Sequence, residues 1–166
     1  TQLEGQFAFL NKHPDVGLVA GGWEKINEEN VTVGKEEPWN AYPHLNLETL
    51  LLVCPLVPSA TLIRQRWIKE VGGFDPKLPP VEDVDILIRL AHNGCRMAWL
   101  EKIVCQYRVC DSTTVSQFQR RRKGLLKLID NYYEKTDLDP KWISMREKVY
   151  RKAYLRIIGL ACAANQ

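Results

Sequence analysis

The stretch Val81-Glu82-Asp83-Val84-Asp85-Ile86-Leu87-Ile88-Arg89-Leu90-Ala91-His92-Asn93-Gly94 decides how the chain is read. Its spacing predicts a helix over Glu82 to Asn93, opened by acidic residues that the helix dipole favours and ended by Gly94 in the C′ position. At about 100° per residue, Glu82, Asp85, Arg89 and His92 share one polar stripe. Asp85 and Arg89 stand four apart, acid before base, which suits a salt-bridged, solvated face. Asp83 does not belong to that stripe. It lies on the side of Leu87 and Leu90, toward the apolar interior. A carboxylate there is a cap, a paired charge or part of a cleft. The dipole favours its anion and loss of water opposes it, which is the balance a general base needs.

Working outward, Met97 to Val109 reads as extended chain, with Val104, Cys105 and Tyr107 in strand-like company. Two long helices are expected after it, Ser116 to Lys135 and Pro140 to about Ala164. In the second, Trp142, Met145, Val149, Ala153, Ile157 and Leu160 form one stripe, with Pro140 in the first turn and Asp139 as the cap. On the other side, Gly72-Gly73-Phe74-Asp75-Pro76 is a turn, preceded by a short helix through Trp67 and Val71 and a strand over Ser59 to Ile63. Leu45 to Val53 has helical spacing broken by Pro55 and Pro58, and Pro38 to Pro43 is irregular and aromatic. Asn27 to Asn30 reads as a hairpin turn after a buried strand, Val16 to Gly22. At the start, Leu3, Phe7 and Leu10, with Gln6 and Asn11 between, read as the end of an amphipathic helix, and His13-Pro14-Asp15 as its stop. The order gives an α/β core over 1–116 and a helical hairpin over 117–166.

The composition, 45% hydrophobic and 26% charged over 166 residues, allows one packed core and excludes a disordered or fibrous chain. No run approaches the ~20 apolar residues of a membrane span. Thr1-Gln2-Leu3-Glu4 has no initiator Met or basic leader, and the unfinished apolar pattern at the far end reads as a cut from a longer protein. Cys54, Cys95, Cys105, Cys110 and Cys162 are scattered, without the C-x-x-C spacing of a zinc site, and read as reduced thiols of a cytoplasmic protein. Residues 1–116 hold 11 basic and 15 acidic side chains, residues 117–166 hold 12 and 5, so a net −4 is followed by +7. Arg120-Arg121-Arg122-Lys123 is a solvated helix face or a dock for acidic lipid, which would make the protein membrane-peripheral; no nucleic-acid motif accompanies it.

Three blocks resemble family 2 glycosyltransferases. Val71-Gly72-Gly73-Phe74-Asp75, Glu82 to Leu90 and Tyr107-Arg108 are similar to the family's "vGGFde" turn, "EDwdlwlRl" helix and "YR" strand end. Upstream, Leu3 to Leu10 and His13 to Val19 resemble the segment that follows the family's metal-binding D-x-D. The likeness covers roughly residues 3–116, with its blocks in the family's order.

The resemblance implies an incomplete GT-A-like mixed sheet with flanking helices, and inverting transfer of a sugar from a nucleotide-sugar to a glycan or lipid-linked acceptor. Asp83 would take the acceptor hydroxyl's proton, with Glu82 as the other candidate. Trp23, Trp39, Tyr42 and His44 would border the acceptor cleft, where aromatic faces stack on sugars, and Arg108 would face the diphosphate. The family's divalent metal, Mg or Mn, would serve the full-length enzyme, because the D-x-D half precedes this chain; alone, the chain is expected to be inactive and to bind no metal. Cys110 stands where members often carry His. A missing half would also leave a sheet edge uncovered, and a homodimer through that edge is expected. The alternative is a non-catalytic module whose basic hairpin binds acidic lipid or a partner protein.

Overall fold

The computed structural model describes residues 2–109, 115–135 and 137–164. Cys110 lies outside them, and the side chains of Leu160 and Cys162 are likewise not described. The element order is α1 (Gln2–Lys12), β1 (Leu18–Ile26), β2 (Thr32–Glu36), α2 (Leu47–Leu52), β3 (Thr61–Ile63), α3 (Gln65–Glu70), α4 (Glu82–His92), β4 (Met97–Arg108), α5 (Val115–Tyr133), α6 (Pro140–Ser144) and α7 (Arg146–Ala164). Single turns of 3-10 helix at Pro38–Asn40 and Pro58–Ala60 complete it. The chain is thus a mixed α/β fold around an open four-stranded sheet.

β1 is the middle of that sheet. β4 runs parallel along one side, from Leu18 opposite Met97 to Ile26 opposite Arg108. On the other side β3 pairs antiparallel with Leu18 to Ala20, and β2 antiparallel with Trp23 to Ile26. Among the described residues β4 pairs with no strand but β1, so its second edge carries no strand.

Alternation along β1 divides the interior in two, as a pleated strand must. Leu18 and Ala20 face a large core shared with Leu50 of α2, Ile86 and Leu90 of α4, Leu128 and Tyr132 of α5, and Val149 and Ala153 of α7. Val19 faces the other way, with Leu10 and Val16. The C-terminal helices therefore contribute to the same core as the sheet. Leu18, Leu50 and Leu90 are at most 1% exposed, and each such side chain stabilises the fold by roughly 1.5–3 kcal/mol relative to exposure.

Two expectations are corrected. The first concerns α1, whose inward face is not the Leu3–Phe7–Leu10 stripe. Leu3 and Phe7 are 63% and 62% exposed, while Gln6 is fully buried beside Leu10. The Gln6 amide donates to Ala60 O at 2.8 Å and Val19 O at 3.4 Å, so its polarity is satisfied where an aliphatic side chain would orphan a carbonyl. The second concerns the helix expected from Pro140 onward, which is broken at Met145. Ser144 Oγ donates to Lys141 O at 2.7 Å and Met145 N bonds Trp142 O, tightening the last turn of α6. The apolar stripe survives the break: Val149, Ala153 and Ile157 are buried, with Trp142 and Met145 half-buried. Asp139 caps α6 as expected, accepting from Lys141 N at 2.7 Å.

Candidate functional site

The turn before α4 fixes the helix in place. Gly72 and Gly73 have φ of +80° and +77°, a left-handed pair that side chains with a Cβ resist. This lays the carbonyls of the turn across Arg89, whose Nη1 donates to Val71 O at 2.5 Å and Nη2 to Gly73 O at 2.7 Å. The same guanidinium grips Asp85 Oδ2 through Nε at 2.8 Å and Nη2 at 2.5 Å. The pairing of Asp85 with Arg89 expected from their spacing is present, and its further hold on the turn was not legible in sequence.

Asp83 leaves α4 on the other side. It lines a groove of about 270 Å³ with Pro58, Thr61, Ile63, Phe74, Ile86 and Leu87. The carboxylate is half-buried, its Oδ1 accepts from Val84 N at 2.8 Å, and the rest of the groove is mainly apolar. Glu82, placed by its spacing on the polar stripe, instead has Oε2 enclosed without a hydrogen-bond partner among the described residues. Cys54, buried and with φ of +42°, belongs to the same core cluster as the groove residues Ile86 and Leu87. Burial pushes the Cys54 thiol up to about 11; the Arg156 guanidinium opposes the rise and the Asp83 carboxylate adds to it. Arg156 Nη1 also donates to Val53 O at 3.3 Å, which brings α7 to the end of α2 beside the start of α4.

The aromatic candidates gather elsewhere. His44 lines a cavity of about 580 Å³ with Pro43, Asn46, Ala91, Arg96 and Trp99, at the opposite end of α4. That cavity and the Asp83 groove have no lining residue in common. Eight residues of helix, Asp83 to Ala91, separate them by about 12 Å. Trp39 meets Trp99 edge-on at 6.2 Å between rings, and Trp99 Nε1 donates to Tyr42 O at 2.7 Å. Trp23 is half-buried on β1, opposite Glu36 and Cys105. Trp99, which sequence reading passed over, is the residue that organises this cluster; alternation along β4 was the available signal.

Arg108 holds the β1–β2 turn. Its guanidinium donates to Asn27 O at 2.8 Å, Glu28 O at 3.2 Å and Asn30 Oδ1 at 2.7 Å. Those bonds explain its position without a ligand.

The donor set does not fit a divalent cation. Asp83 and Asp85 have D-x-D spacing but line different cavities, and Asp85 is occupied by Arg89. In a second D-x-D, Asp137-Leu138-Asp139, the last carboxylate caps α6. Among the described residues no three His, Cys, Asp or Glu side chains are grouped to hold a metal, and no helix is long and apolar enough to cross a membrane. Comparison with protein-family models returned no match, and comparison with curated protein sequences returned none.

Proposed function

We propose that this chain supplies the acceptor side of an inverting glycosyltransferase of the GT-A, family 2 kind, with Asp83 as the base. The observation that carries the proposal is Asp83 itself: one carboxylate in a mainly apolar groove, at the first turn of a helix clamped in place by Arg89. An acceptor hydroxyl seated against Asp83 would pass its proton to the carboxylate as its oxygen attacks the anomeric carbon. The bond from that carbon to the nucleotide diphosphate breaks on the opposite face, giving inversion. Apolar walls keep water from competing for the carboxylate. Glu82, enclosed at the same helix start, is the second candidate for the proton.

Among the described residues no group of side chains could hold a metal ion. Binding of the sugar-nucleotide would fall to residues outside this chain. The test is transfer by an intact enzyme carrying this sequence, assayed with a panel of nucleotide-sugars and simple glycoside acceptors. Asp83→Asn keeps shape and removes the base, so a general-base role predicts a fall of about 10²–10⁴-fold in turnover. Unchanged turnover would reject Asp83.

A second reading rests on a separate observation. On α7, Tyr154, Leu155 and Ile158 are about half exposed beside the exposed bases Arg151 and Lys152. An apolar patch framed by positive charge suits an anionic lipid surface. Salt-sensitive sedimentation with phosphatidylserine vesicles, lost in Leu155→Ser/Ile158→Ser, would support it.

A further inference from the structure

The cavity on the far side of α4 from Asp83 has no part in the chemistry above, and it is larger, about 430 Å³. That lies within the ~300–1,000 Å³ of ordinary small-molecule sites. Its lining joins the turn before α4 to α5: Phe74 and Asp75 on one side, Asn131 and Lys135 on the other, and the Asp85–Arg89 pair between them. We infer that this cavity is a subsite for a neutral, hydroxyl-rich ring, a second sugar unit of the acceptor.

Three observations converge on that class of ligand. The first is charge. Two carboxylates, one guanidinium and one ammonium line the cavity, so the formal charge cancels, and neither an anion nor a cation is favoured. Arg89 spends four of its five N–H donors on Asp85 and two turn carbonyls, and its charge faces the Asp85 carboxylate, which leaves it little capacity for an anion. The second is unused hydrogen-bonding capacity. Among the described residues the Asn131 amide and the Lys135 ammonium make no hydrogen bond, although Lys135 Nζ lies 5.4 Å over the Tyr132 ring. Asp75 uses Oδ1 to hold Lys77 N at 2.8 Å and keeps a second oxygen. Hydroxyl groups both donate and accept, and this mixture serves them better than it serves a purely accepting phosphate.

The third is Phe74. Its ring is 55% exposed, so an aromatic face is open to a ligand at this point. Phe74 lines both this cavity and the Asp83 groove, standing on the ridge between them. A flat apolar face between two cavities is a platform over which a chain of rings can pass, one ring at Asp83 and the next beyond Phe74. The inference rests on the transfer reading only in assigning both rings to one acceptor; ring binding itself needs no transfer.

The experiment therefore measures binding by the 166-residue chain without donor. Methyl glycosides of glucose, galactose, mannose and N-acetylglucosamine, their β-linked disaccharides, inorganic phosphate and glycine are titrated into labelled protein and followed by amide chemical shifts. Shifts centred on Gly73, Asp75, Asn131 and Lys135 are expected with a glycoside, and tighter binding of a disaccharide than of its monosaccharide. Phe74→Ala should weaken disaccharide binding by about 3- to 10-fold, as loss of one aromatic contact does. Asn131→Ala should weaken it by a similar factor. Both side chains are exposed, so the amide spectrum reports whether each variant remains folded. Preferential binding of phosphate or glycine overturns the ligand class. Shifts confined to Thr61, Ile63 and Asp83 overturn the subsite, and so does the absence of binding by any glycoside. If glycosides bind at the cavity while an intact enzyme transfers no sugar, the subsite stands and the transfer reading falls.

Discussion

Removing Arg89 tests the account of what holds the candidate site in shape. The guanidinium makes four hydrogen bonds, two to the Asp85 carboxylate and two to carbonyls of the turn. Summing four charged bonds at about 1.5–3 kcal/mol each would give about 6–12 kcal/mol, which overshoots because such bonds are not additive and water replaces part of what is lost. The side chains are 21% and 16% exposed, so water reaches both partners, but incompletely. Arg89→Met should therefore cost about 2–4 kcal/mol, between the value of a surface pair and that of breaking a buried one. For a chain of this size that lowers Tm by roughly 5–15 °C. Arg89→Lys can still pair with Asp85 but cannot reach both carbonyls as a fork does, and should lose about half as much. Urea unfolding of the three proteins, read by tryptophan fluorescence, gives the numbers. A loss below about 1 kcal/mol in Arg89→Met, or full rescue by Lys, would show that the turn holds itself and that Arg89 is not its clamp.

Further outcomes follow from other contacts. Gly22→Ala should be strongly destabilising, by about 2–4 kcal/mol, because its Cβ would strike Glu36 O of the neighbouring strand and leave only 2.9 Å to the Trp39 ring; loss of the β1–β2 amide hydrogen bonds in exchange experiments would show it. Asp139→Ala should cost about 1 kcal/mol by unfolding, since the carboxylate alone caps the start of α6. His92 is held below its ordinary value by burial first and by Lys135 second, with Asp137 pulling the other way, while Tyr132 Oη lies 3.4 Å from its Nδ1. Its folded state thus favours the neutral ring. Stability is full above about pH 6.5 and declines as pH falls toward the lower folded value, which an imidazole titration by NMR would place below 6.5. Cys54 and Cys95, raised by burial to about 11 and about 12, should resist iodoacetamide at pH 8 in the native protein and react in urea.

How much could be read from the chain beforehand depends on whether the signal was local. α4 was legible end to end because its cues lie within it: the acidic first turn, the Asp85–Arg89 spacing, and Gly94, which has φ of +80°. The turn at Asn27 to Asn30 is legible for the same reason, but the strands beside it are not: β1 runs on past Gly22 to Ile26, and the polar Thr32–Glu36 carries no strand signal of its own. Nor are partners distant in sequence legible. Gln6 reads only as a polar residue between the apolar positions of α1, since nothing nearby reveals that Ala60, 54 residues on, offers it a buried carbonyl. Arg108 is a diphosphate candidate through the family resemblance, and its hold on a turn some 80 residues earlier has no local signal. The aromatic residues are set at the acceptor cleft by the resemblance and their loop position, and periodicity says nothing of which end of α4 a loop will reach. Asp83 is singled out both by its angle on the helix and by the resemblance, and its facing with Leu87 is as the helix geometry requires.

The shared core also has a bearing on how the protein is made. Leu18 on the central strand and Val149 and Ala153 on the last helix belong to one packed cluster. A ribosome adding about 5–20 residues per second needs roughly 7–30 s to pass from Leu18 to Ile157. Within that interval β1, and α4 and β4 once they have been made, have an apolar flank that α7 cannot yet cover. The parallel pairing of β1 with β4, Leu18 against Met97, adds a long loop closure of its own, which slows folding further. A nascent chain stalled before α7 should therefore be held by chaperones, and should fold only once the last helix has left the exit tunnel.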